Sequence, residues 1–352
     1  MAERHDVLVV GAGPAGLSAT LFLRLSGRDL DVLALDRLQG ERRSRYHRIC
    51  GGGVSRRAFR GLDPIEPWGA MEEISRALLR WPGGVETEQT IDGHIIDRPR
   101  FLDELAVRCR EEGAMLERGS VVSVVPDGDG YRARLYDGSE LRARHIIGAD
   151  GALSVVRRDL FGTRPWRIMA AERYLVEGDA EPGTLVFHME QRYRGGYRWE
   201  FPCGGLVNTG FPRGTDSVEE YLDRGCRHIP FGGVGPVVEG DALLVGDAAA
   251  QANPVSYGGI RAALQAGRQA ASAVAAGKPD LYRRWWERSR LSSPWYLKAH
   301  EAMSSWSDED MRAAAAPFQG RSRALPLLRR LIEAPRDYHM YVAYGMALRD
   351  SW

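Results

Sequence analysis

Residues 6–16 read DVLVVGAGPAG, a continuous apolar run that leads directly into three glycines spaced as Gly-x-Gly-x-x-Gly. An unbroken apolar run predicts a strand buried on both faces, as in a parallel sheet. The stretch LSATLFLRLSG then has helical character, and a second apolar run, DVLALD, ends at Asp36. Strand, glycine-rich turn, helix, strand and acid in this order predict a Rossmann-type unit that binds a dinucleotide.

Each glycine of the turn has a distinct physical task in this prediction. Gly11 permits the tight turn, Gly13 lets backbone N–H groups approach a pyrophosphate, and Gly16 lets helix and strand pack closely. The helix N-terminus would face the phosphates with its partial positive charge. We expect Asp36 to accept hydrogen bonds from a ribose diol, and we assign Ala15 and Arg37 to the same cofactor site.

Two later segments favour FAD over NAD as the dinucleotide. The first, HIIGADGALSVVR (145–157), is an apolar strand followed by Asp150 and Gly151, and we assign Asp150 to the cofactor site. The second, DALLVGDAAAQANPVSYGGIRAALQAGRQAA (241–271), runs from an apolar strand through Gly246 and Asp247 to an alanine-rich helix. In this arrangement Asp247 would meet the ribityl chain. The helix N-terminus would face the pyrimidine edge of the flavin and favour negative charge there, and its assigned residues are Gly258, Gly259 and Ile260.

With these segments the chain resembles the FAD-dependent group that includes aromatic hydroxylases and geranylgeranyl reductases. The resemblance implies that IIDRPRFLDEL (95–105) is a helix whose Arg98 reaches the FAD phosphates. The alternatives are a surface salt bridge for Arg98, or Arg100 in its place. The resemblance also puts Val121 next to adenine through its backbone, although an ordinary strand residue would have the same pattern.

The segment RICGGGVS (48–55) resembles the loop of geranylgeranyl reductases that runs beside the isoalloxazine. Successive glycines let backbone lie flat against a ring system, and we assign Gly51 and Gly53 to the cofactor. Cys50 has three roles open to it: redox partner, proton donor, or packing residue, the commonest fate of a free cysteine.

A second narrow motif lies in GGYRWEFPCGGLVNTGF (195–211), which is similar to the family's Tyr-x-Trp-x-Phe-Pro strand. Side chains alternate along a strand, so Tyr197, Trp199 and Phe201 share one face. These aromatics either fill an ordinary core or form a wall that holds a long apolar chain beside the flavin. The position of the motif, between the Asp150 and Asp247 elements, favours the wall. Phe211 and Pro212 depart from the family pattern, as does the short stretch between the two aspartate motifs.

Composition bounds the remaining function classes. The chain has 352 residues and a formal net charge of +1, which argues against a nucleic-acid binder. The sequence contains no apolar run of about 18 residues, so no transmembrane helix is expected. The first residues lack the features of a secretory signal, so a cytoplasmic protein is expected. Four scattered cysteines, at positions 50, 109, 203 and 226, predict neither a disulfide framework nor a metal site.

The predicted fold is α/β: a three-layer Rossmann-type FAD-binding domain, an inserted antiparallel-sheet substrate domain and a helical C-terminal region. We assign residues 1–80, 98–160 and 236–280 to the first, 81–97 and 161–235 to the second, and 281–352 to the third. Trp285, Trp286 and Trp295, in the C-terminal region, would cover the substrate tunnel, form a dimer face or touch a membrane surface. The arginines at positions 42, 43, 45 and 48 are a solvated run or a docking site for a phosphate headgroup or an acidic electron donor.

The resemblance implies an FAD-dependent prenyl reductase. Hydride from N5 of the reduced flavin would reach an isolated C=C bond, with Cys50 or Tyr197 relaying the proton. A prenyl lipid is the expected substrate, and either a ferredoxin-type protein or NAD(P)H is the expected electron donor. Peripheral membrane contact is compatible with this reading. Two alternatives remain, namely a flavin monooxygenase or epoxidase that uses NAD(P)H and O2, and a redox-sensing flavin-binding protein without turnover.

Overall fold

The structure, a computed structural model, describes residues 3–319 and 338–346. Two eight-stranded sheets and eight α-helices account for most of this part of the chain. The first of these sheets carries the glycine-rich turn. The predicted strand, turn, helix and strand all form.

The first sheet is parallel at its centre. It has the order β15-β16-β9-β1-β2-β6, with the β7–β8 hairpin attached through β9. β1 is central because its apolar run is buried on both faces: Val7 pairs with Val32 on one side, and Val10 pairs with Gly148 on the other. The strands are β1 (Glu3–Val10), β2 (Val32–Asp36), β6 (Met115–Arg118), β7 (Val121–Asp127), β8 (Gly130–Leu135), β9 (Glu140–Gly148), β15 (Val238–Glu239) and β16 (Ala242–Leu244).

Helices pack closely on this sheet. The helix that follows the turn is buried along most of its length, and it packs against two other helices, one of which buries a face rich in alanine. A Cβ on Gly267 would lie only 2.3 Å from the backbone oxygen of Ala15, so this glycine sets the close approach of two helices. The helices are α1 (Pro14–Arg24), α2 (Gly40–Arg48), α3 (Arg98–Glu111) and α4 (Ile260–Ala275).

The second sheet is antiparallel except for one parallel pair. Its order is β14-β10-β13-β12-β11-β4-β5-β3, and β11 pairs with β4 in parallel. One face buries apolar and aromatic side chains, among them Trp199, Phe201 and Leu185. The strands are β3 (Gly53–Ser55), β4 (Ala70–Trp81), β5 (Val85–Ile96), β10 (Arg167–Val176), β11 (Thr184–His188), β12 (Arg198–Pro202), β13 (Val207–Pro212) and β14 (Asp223–Phe231).

The two sheets divide the chain differently from the proposed domain boundaries at one point. β3 and most of β4 lie within residues 1–80, which the sequence analysis assigned to the FAD-binding part, yet both strands hydrogen-bond into the second sheet. Polar residues interrupt the apolar pattern of β4, which is why its pairing was not visible from sequence. The domain boundaries remain a prediction, and β3 and β4 are where they differ from the division into two sheets.

The C-terminal region is helical where the structure describes it. Trp285 and Trp286 pack against the core of the first sheet, and the Trp285 ring stacks on Tyr282. Their position against the first sheet does not support the prediction that these two side chains cover the substrate tunnel. Trp295 contacts Tyr338, and residues 320–337 and 347–352 of the predicted tail lie outside the described residues. The helices are α5 (Asp280–Arg288), α6 (Pro294–Ser304), α7 (Asp308–Ala315) and α8 (Tyr338–Met346). The predicted fold class is confirmed.

Candidate flavin and substrate site

A cavity lies between the carboxyl ends of the first sheet's strands and the aromatic face of the second sheet. Its walls bring together the predicted cofactor turn, the Cys-Gly-Gly loop, the aromatic strand and the start of α4. Among the sequence-predicted residues, those that line it are Gly13, Ala15, Cys50, Gly51, Gly53, Arg98, Tyr197, Trp199, Phe201, Gly246, Asp247, Gly258, Gly259 and Ile260.

The glycine-rich turn leaves open space where a phosphate would sit. Gly11 has a φ of +104°, and a Cβ there would lie 2.4 Å from the carbonyl oxygen of Ala149. A Cβ on Gly16 would lie 1.8 Å from the carbonyl oxygen of Gly11, so both positions require glycine. Gly13 differs, because a Cβ there would meet nothing within 4 Å. The first turn of α1 has neither a side-chain cap nor an acidic residue, and its N–H groups are available to an anion.

Arg98 extends this anion-binding character. It is the first residue of α3 and lines the cavity, and its Nε is buried without a hydrogen-bond partner in the described part of the chain. Buried guanidinium donors are normally paired, so this one fits a phosphate ligand. Arg100, the alternative, is exposed, and its backbone N–H donates to Asp97.

Besides Gly11 and Gly16 of the turn, the sequence-predicted residues that lie away from the cavity lining are Asp36, Arg37, Val121 and Asp150. Asp36 accepts hydrogen bonds from the Leu38 N–H and from Nε of Arg43, each at 3.0 Å. The Arg37 guanidinium lies 5.4 Å from the Tyr46 ring centroid. Val121 is a buried strand residue that pairs with Leu135. The cofactor roles of these residues remain predictions.

Asp150 is used by the backbone that follows β9. Its carboxylate accepts from the Ser154 hydroxyl at 2.5 Å and from the Val155 N–H at 2.6 Å. Burial raises the pKa of Asp150, while these hydrogen bonds oppose the increase. The carboxylate therefore caps a turn, and its neighbours Ala149 and Gly151 line the cavity in its place.

The start of α4 forms the opposite end of the cofactor region. Gly259 is the N-cap and makes no side-chain cap, so the first N–H groups of this 16-residue helix are free to meet negative charge. Asp247 lies nearby: a Cβ on Gly259 would be 3.6 Å from its Oδ1. This geometry suits the pyrimidine edge and ribityl chain assigned to it.

The Cys-Gly-Gly loop and the aromatic strand are joined by one buried side chain. Asn208, on β13, donates from its amide nitrogen to the carbonyl oxygen of Cys50 at 2.8 Å. Its carbonyl oxygen accepts from Nε1 of Trp199 at 3.2 Å. The loop lies directly on the aromatics, since a Cβ on Gly51 would be 2.9 Å from Cε2 of Phe201.

The aromatic face combines apolar area with two hydroxyl groups. Phe187 packs edge-on to both Tyr197 and Phe201, with centroids 5.0 and 5.3 Å apart. The Tyr197 hydroxyl donates to the carbonyl oxygen of Ser256. Burial, and secondly Cys50, raise the pKa of Tyr197, which keeps this phenol protonated at neutral pH. On the other face of the strand, Arg198 pairs with Glu200 at 3.0 Å, as the alternation predicts.

Sequence reasoning missed several residues of this cavity. Tyr257 lines it with a φ of +51°, unusual for a residue other than glycine. Arg227, on β14, also lines it, and so do Arg173 and Met169 on β10. None belongs to a recognisable motif. Asn208 lies within the 195–211 motif segment, yet the sequence contains no signal that it contacts Cys50.

These observations fit FAD. An open backbone cradle at Gly13, a buried and unpartnered Nε of Arg98 and an uncapped helix start at Gly259 match a diphosphate at one end and a flavin at the other. Among the described residues no cluster of His, Cys, Asp or Glu could hold a metal ion. In those same ranges no helix has the length and apolar character required to span a bilayer.

Comparisons with known proteins agree with this site. Residues 4–169 match the model of an FAD binding domain, so FAD is the cofactor of this chain. A digeranylgeranylglycerophospholipid reductase of Methanopyrus kandleri is 33% identical over 88% of this chain and 89% of its own. A menaquinone reductase of Mycolicibacterium smegmatis is 30% identical over 81% of this chain and 80% of its own.

A solved structure shares the fold. A geranylgeranyl bacteriochlorophyll reductase-like protein of Thermoplasma acidophilum superimposes with a TM-score of 0.79 at 18% identity, covering 97% of this chain and 100% of its own. The resemblance drawn from Cys50–Gly52 and Tyr197–Pro202 is confirmed by the relatives. The chain belongs to the geranylgeranyl reductase family of FAD-dependent oxidoreductases.

Proposed function

We propose that this protein is an FAD-dependent reductase that saturates isolated C=C bonds of a prenyl lipid. One observation carries the proposal. The aromatic strand and the Cys-Gly-Gly loop, tied together by Asn208, line the same cavity as Gly13 and the start of α4. An apolar chain that enters this cavity would lie against the region where the family's flavin binds.

Bound FAD supplies the chemistry: once reduced, it donates a hydride from N5. The chain supplies electrostatics and orientation around it. The uncapped N-terminus of α4 would stabilise negative charge at the pyrimidine edge and so favour the anionic form of the reduced cofactor. The arginine at the start of α3 and the backbone at Gly13 hold the diphosphate.

Aromatic area replaces hydrogen bonds in positioning the substrate. An isolated alkene has no polar group beside its reacting carbons, so only shape and apolar contact can align it. Trp199, Phe201 and Phe187 offer rigid rings at this wall. Burial of apolar surface contributes roughly 25 cal/mol per Å². The same contacts exclude water from the site.

We assign the proton to Cys50. Within the described residues its sulfur accepts a weak hydrogen bond from the Gly52 N–H at 3.4 Å and donates none, so its S–H is available. The Tyr197 hydroxyl is already committed to Ser256. Tyr197 would therefore position the thiol and the aromatic wall rather than give up a proton.

A glycerophospholipid that carries geranylgeranyl chains is the substrate we favour, because two relatives with this name are 33% and 36% identical to this chain, against 30% for the menaquinone reductase. A second cavity of about 940 Å³ shares Met169 and Tyr257 with the first. Its lining is polar and includes Arg194, Gln191 and Thr215. We place the polar end of the lipid there, with the prenyl chain directed towards the aromatic wall.

Electron supply and location are the remaining parts of the proposal. Arg42, Arg45 and Arg48 are exposed on α2 and suit an acidic ferredoxin-type donor, with NAD(P)H as the alternative.

Trp166 and Ile168 are exposed at 61% and 47%, beside the second cavity. We propose a cytoplasmic protein that touches the membrane peripherally through these side chains, where it would collect its lipid.

Anaerobic single turnover tests the function. The holoprotein is reduced with dithionite and mixed with a digeranylgeranyl glycerophospholipid, and the lipid is examined by mass spectrometry. We expect a gain of one H2 for each bond saturated. A second arm supplies NAD(P)H and isotopically labelled O2. Incorporation of the label into the lipid, with no gain of H2 in the first arm, would contradict the reductase proposal and favour a monooxygenase. The relatives support that alternative less.

A further inference from the structure

Arg227 reaches the cofactor region from an unexpected side. It lies on β14, an edge strand of the second sheet, whereas the predicted phosphate contacts come from the first sheet and its helices. Its side chain is only 14% exposed and lines the cavity. Its strand neighbour Arg224 is exposed and lies over the Tyr221 ring instead.

The contacts of Arg227 hold it in place without neutralising it. The guanidinium lies 4.4 Å from the centroid of Tyr46, and it donates to the Tyr46 carbonyl oxygen at 3.4 Å. The nearest carboxylate oxygen, Oδ2 of Asp247, is 4.0 Å from its Nη2, which is too long for a hydrogen bond. A buried guanidinium with unused donors generally has a ligand of opposite charge.

One arginine and one aspartate are the charged side chains that act most on Arg227. Burial, and then Arg98, lower its pKa, while Tyr46, Asp247 and Cys50 act in the opposite direction. His47 lies among these arginines, and burial together with Arg98 and Arg227 lowers its pKa far enough to keep it neutral. Arg43 differs from both, because it is already paired with Asp36 and Asp103. Arg98 and Arg227 both line the cavity, and among the described residues neither has a carboxylate within hydrogen-bond distance.

We propose that Arg227 is a second arginine ligand of the FAD diphosphate, supplied by the substrate-binding sheet and acting together with Arg98 of α3. A diphosphate has enough oxygen acceptors for two guanidinium groups, and planar N–H pairs match it well. Cofactor binding would then connect the two sheets, with Arg98 on one side of the contact and Arg227 on the other. This role concerns cofactor affinity and does not depend on which lipid is reduced.

Ligand titration tests the assignment with Arg227→Gln and the matched control Arg224→Gln from the same strand. The full-length chain is freed of flavin and titrated with FAD by fluorescence quenching, and with ADP by calorimetry. ADP carries the diphosphate but no isoalloxazine. We expect Arg227→Gln to weaken both ligands by about tenfold to hundredfold, the usual effect of a charge-assisted hydrogen bond. Arg224→Gln should bind both as the unaltered protein does.

Arg227→Lys refines the test because it keeps a positive charge and loses the planar fork. Its affinity for both ligands should lie between those of the unaltered chain and Arg227→Gln. Circular dichroism and thermal unfolding without ligand verify that each variant is folded; if Arg227→Gln does not fold, the Lys variant with ADP takes its place. Weaker FAD binding with unchanged ADP binding would assign Arg227 to the flavin ring and overturn the proposal. Unchanged affinity for both ligands would overturn it as well.

Discussion

The side-chain amide of Asn208 donates a 2.8 Å hydrogen bond to the carbonyl oxygen of Cys50, 158 residues earlier in the chain. The same amide accepts from the Trp199 indole, so one polar group sets the distance between the loop and the aromatic strand. Both contacts are removed from solvent, where hydrogen bonds are strong and an unpaired group is costly. The shape of the substrate cavity therefore depends on a residue that does not itself line it.

Replacing Asn208 by Ala should lower both stability and turnover. The substitution leaves the Trp199 N–H and the Cys50 carbonyl without partners, and each unsatisfied buried group costs about 1–3 kcal/mol. We expect a loss of about 2–4 kcal/mol in the free energy of unfolding, measured by urea denaturation. Gln265→Ala removes an amide that bonds to Arg60 near the surface, and this control should cost less than about 0.5 kcal/mol. Equal effects of the two variants would contradict the role of Asn208.

Gly51 and Gly53 offer a matched pair within one loop. A methyl group on Gly51 would approach Phe201 to 2.9 Å, whereas on Gly53 the nearest atom is Cδ1 of Leu185 at 3.4 Å. We expect Gly51→Ala to cost about 1–3 kcal/mol and to reduce turnover with FAD still bound, because it displaces Phe201. A methyl group on Gly53 would make ordinary van der Waals contact, so Gly53→Ala should change the free energy of unfolding by less than about 1 kcal/mol. Both variants restrict the unfolded chain equally, so the difference between them reports on the folded state. The measurements are thermal unfolding and lipid reduction.

Arg98 and Arg100 separate the phosphate role from a general charge effect. Arg98→Gln removes the guanidinium whose Nε is buried without a partner, and it should raise the Kd for FAD about tenfold to hundredfold. Arg100→Gln removes an exposed charge from the same turn of α3 and should leave the Kd within about twofold. Fluorescence titration of the flavin-free chain measures both. A larger effect at Arg100 would transfer the phosphate contact to that residue.

These variants also mark the limit of what the sequence alone predicts. The turn at Gly11–Gly16, the helix that begins at Arg98 and the start of α4 follow from local patterns, because each task uses neighbouring residues. Alternation alone placed Tyr197, Trp199 and Phe201 on one face. The contact between Asn208 and Cys50, and the entry of Arg227 into the cavity, depend on how distant strands pair and how the two sheets pack. No local pattern contains that information.

Asp150 illustrates a different limit, in which a motif residue has a structural task that the sequence does not show. The Asp-Gly pair after β9 predicts a cofactor contact, and that contact remains a prediction. The carboxylate accepts hydrogen bonds from the Ser154 hydroxyl and the Val155 N–H, which organise the turn. A motif fixes where a residue lies along the chain, whereas the hydrogen-bonding capacity left to its side chain depends on the backbone that follows.

His47 should make the flavin-free protein less stable in mild acid. Burial and the surrounding arginines Arg98, Arg227, Arg43 and Arg37 lower its pKa in the folded state, so unfolding takes up a proton. Stability is then complete above the unfolded pKa of about 6.5 and falls as the pH drops below it. Between about pH 7.5 and pH 5.5 this one group should remove about 1.4 kcal/mol.

Urea unfolding at both pH values, compared with His47→Asn, measures this contribution. The variant should lose about 1.4 kcal/mol less than the unaltered chain over that interval. His228→Asn replaces an exposed histidine and should follow the unaltered chain. If the pH dependence is the same with and without His47, a charged imidazole is tolerated there and the neutral assignment is wrong.

Cys50 is the residue on which the proposed chemistry can be tested most directly. Cys50→Ser keeps the size of the side chain and replaces the thiol by a hydroxyl, a much weaker acid. If the thiol delivers the proton, turnover should fall by about 100-fold or more, while the Kd for FAD stays within about twofold. Cys203→Ser is the control, since Cys203 is half-buried and lies outside the cavity lining. Tyr197→Phe separates the two candidate proton donors. Loss of the hydrogen bond to Ser256 should disturb substrate alignment and raise KM. A fall in kcat equal to that of Cys50→Ser would instead identify Tyr197 as the proton donor.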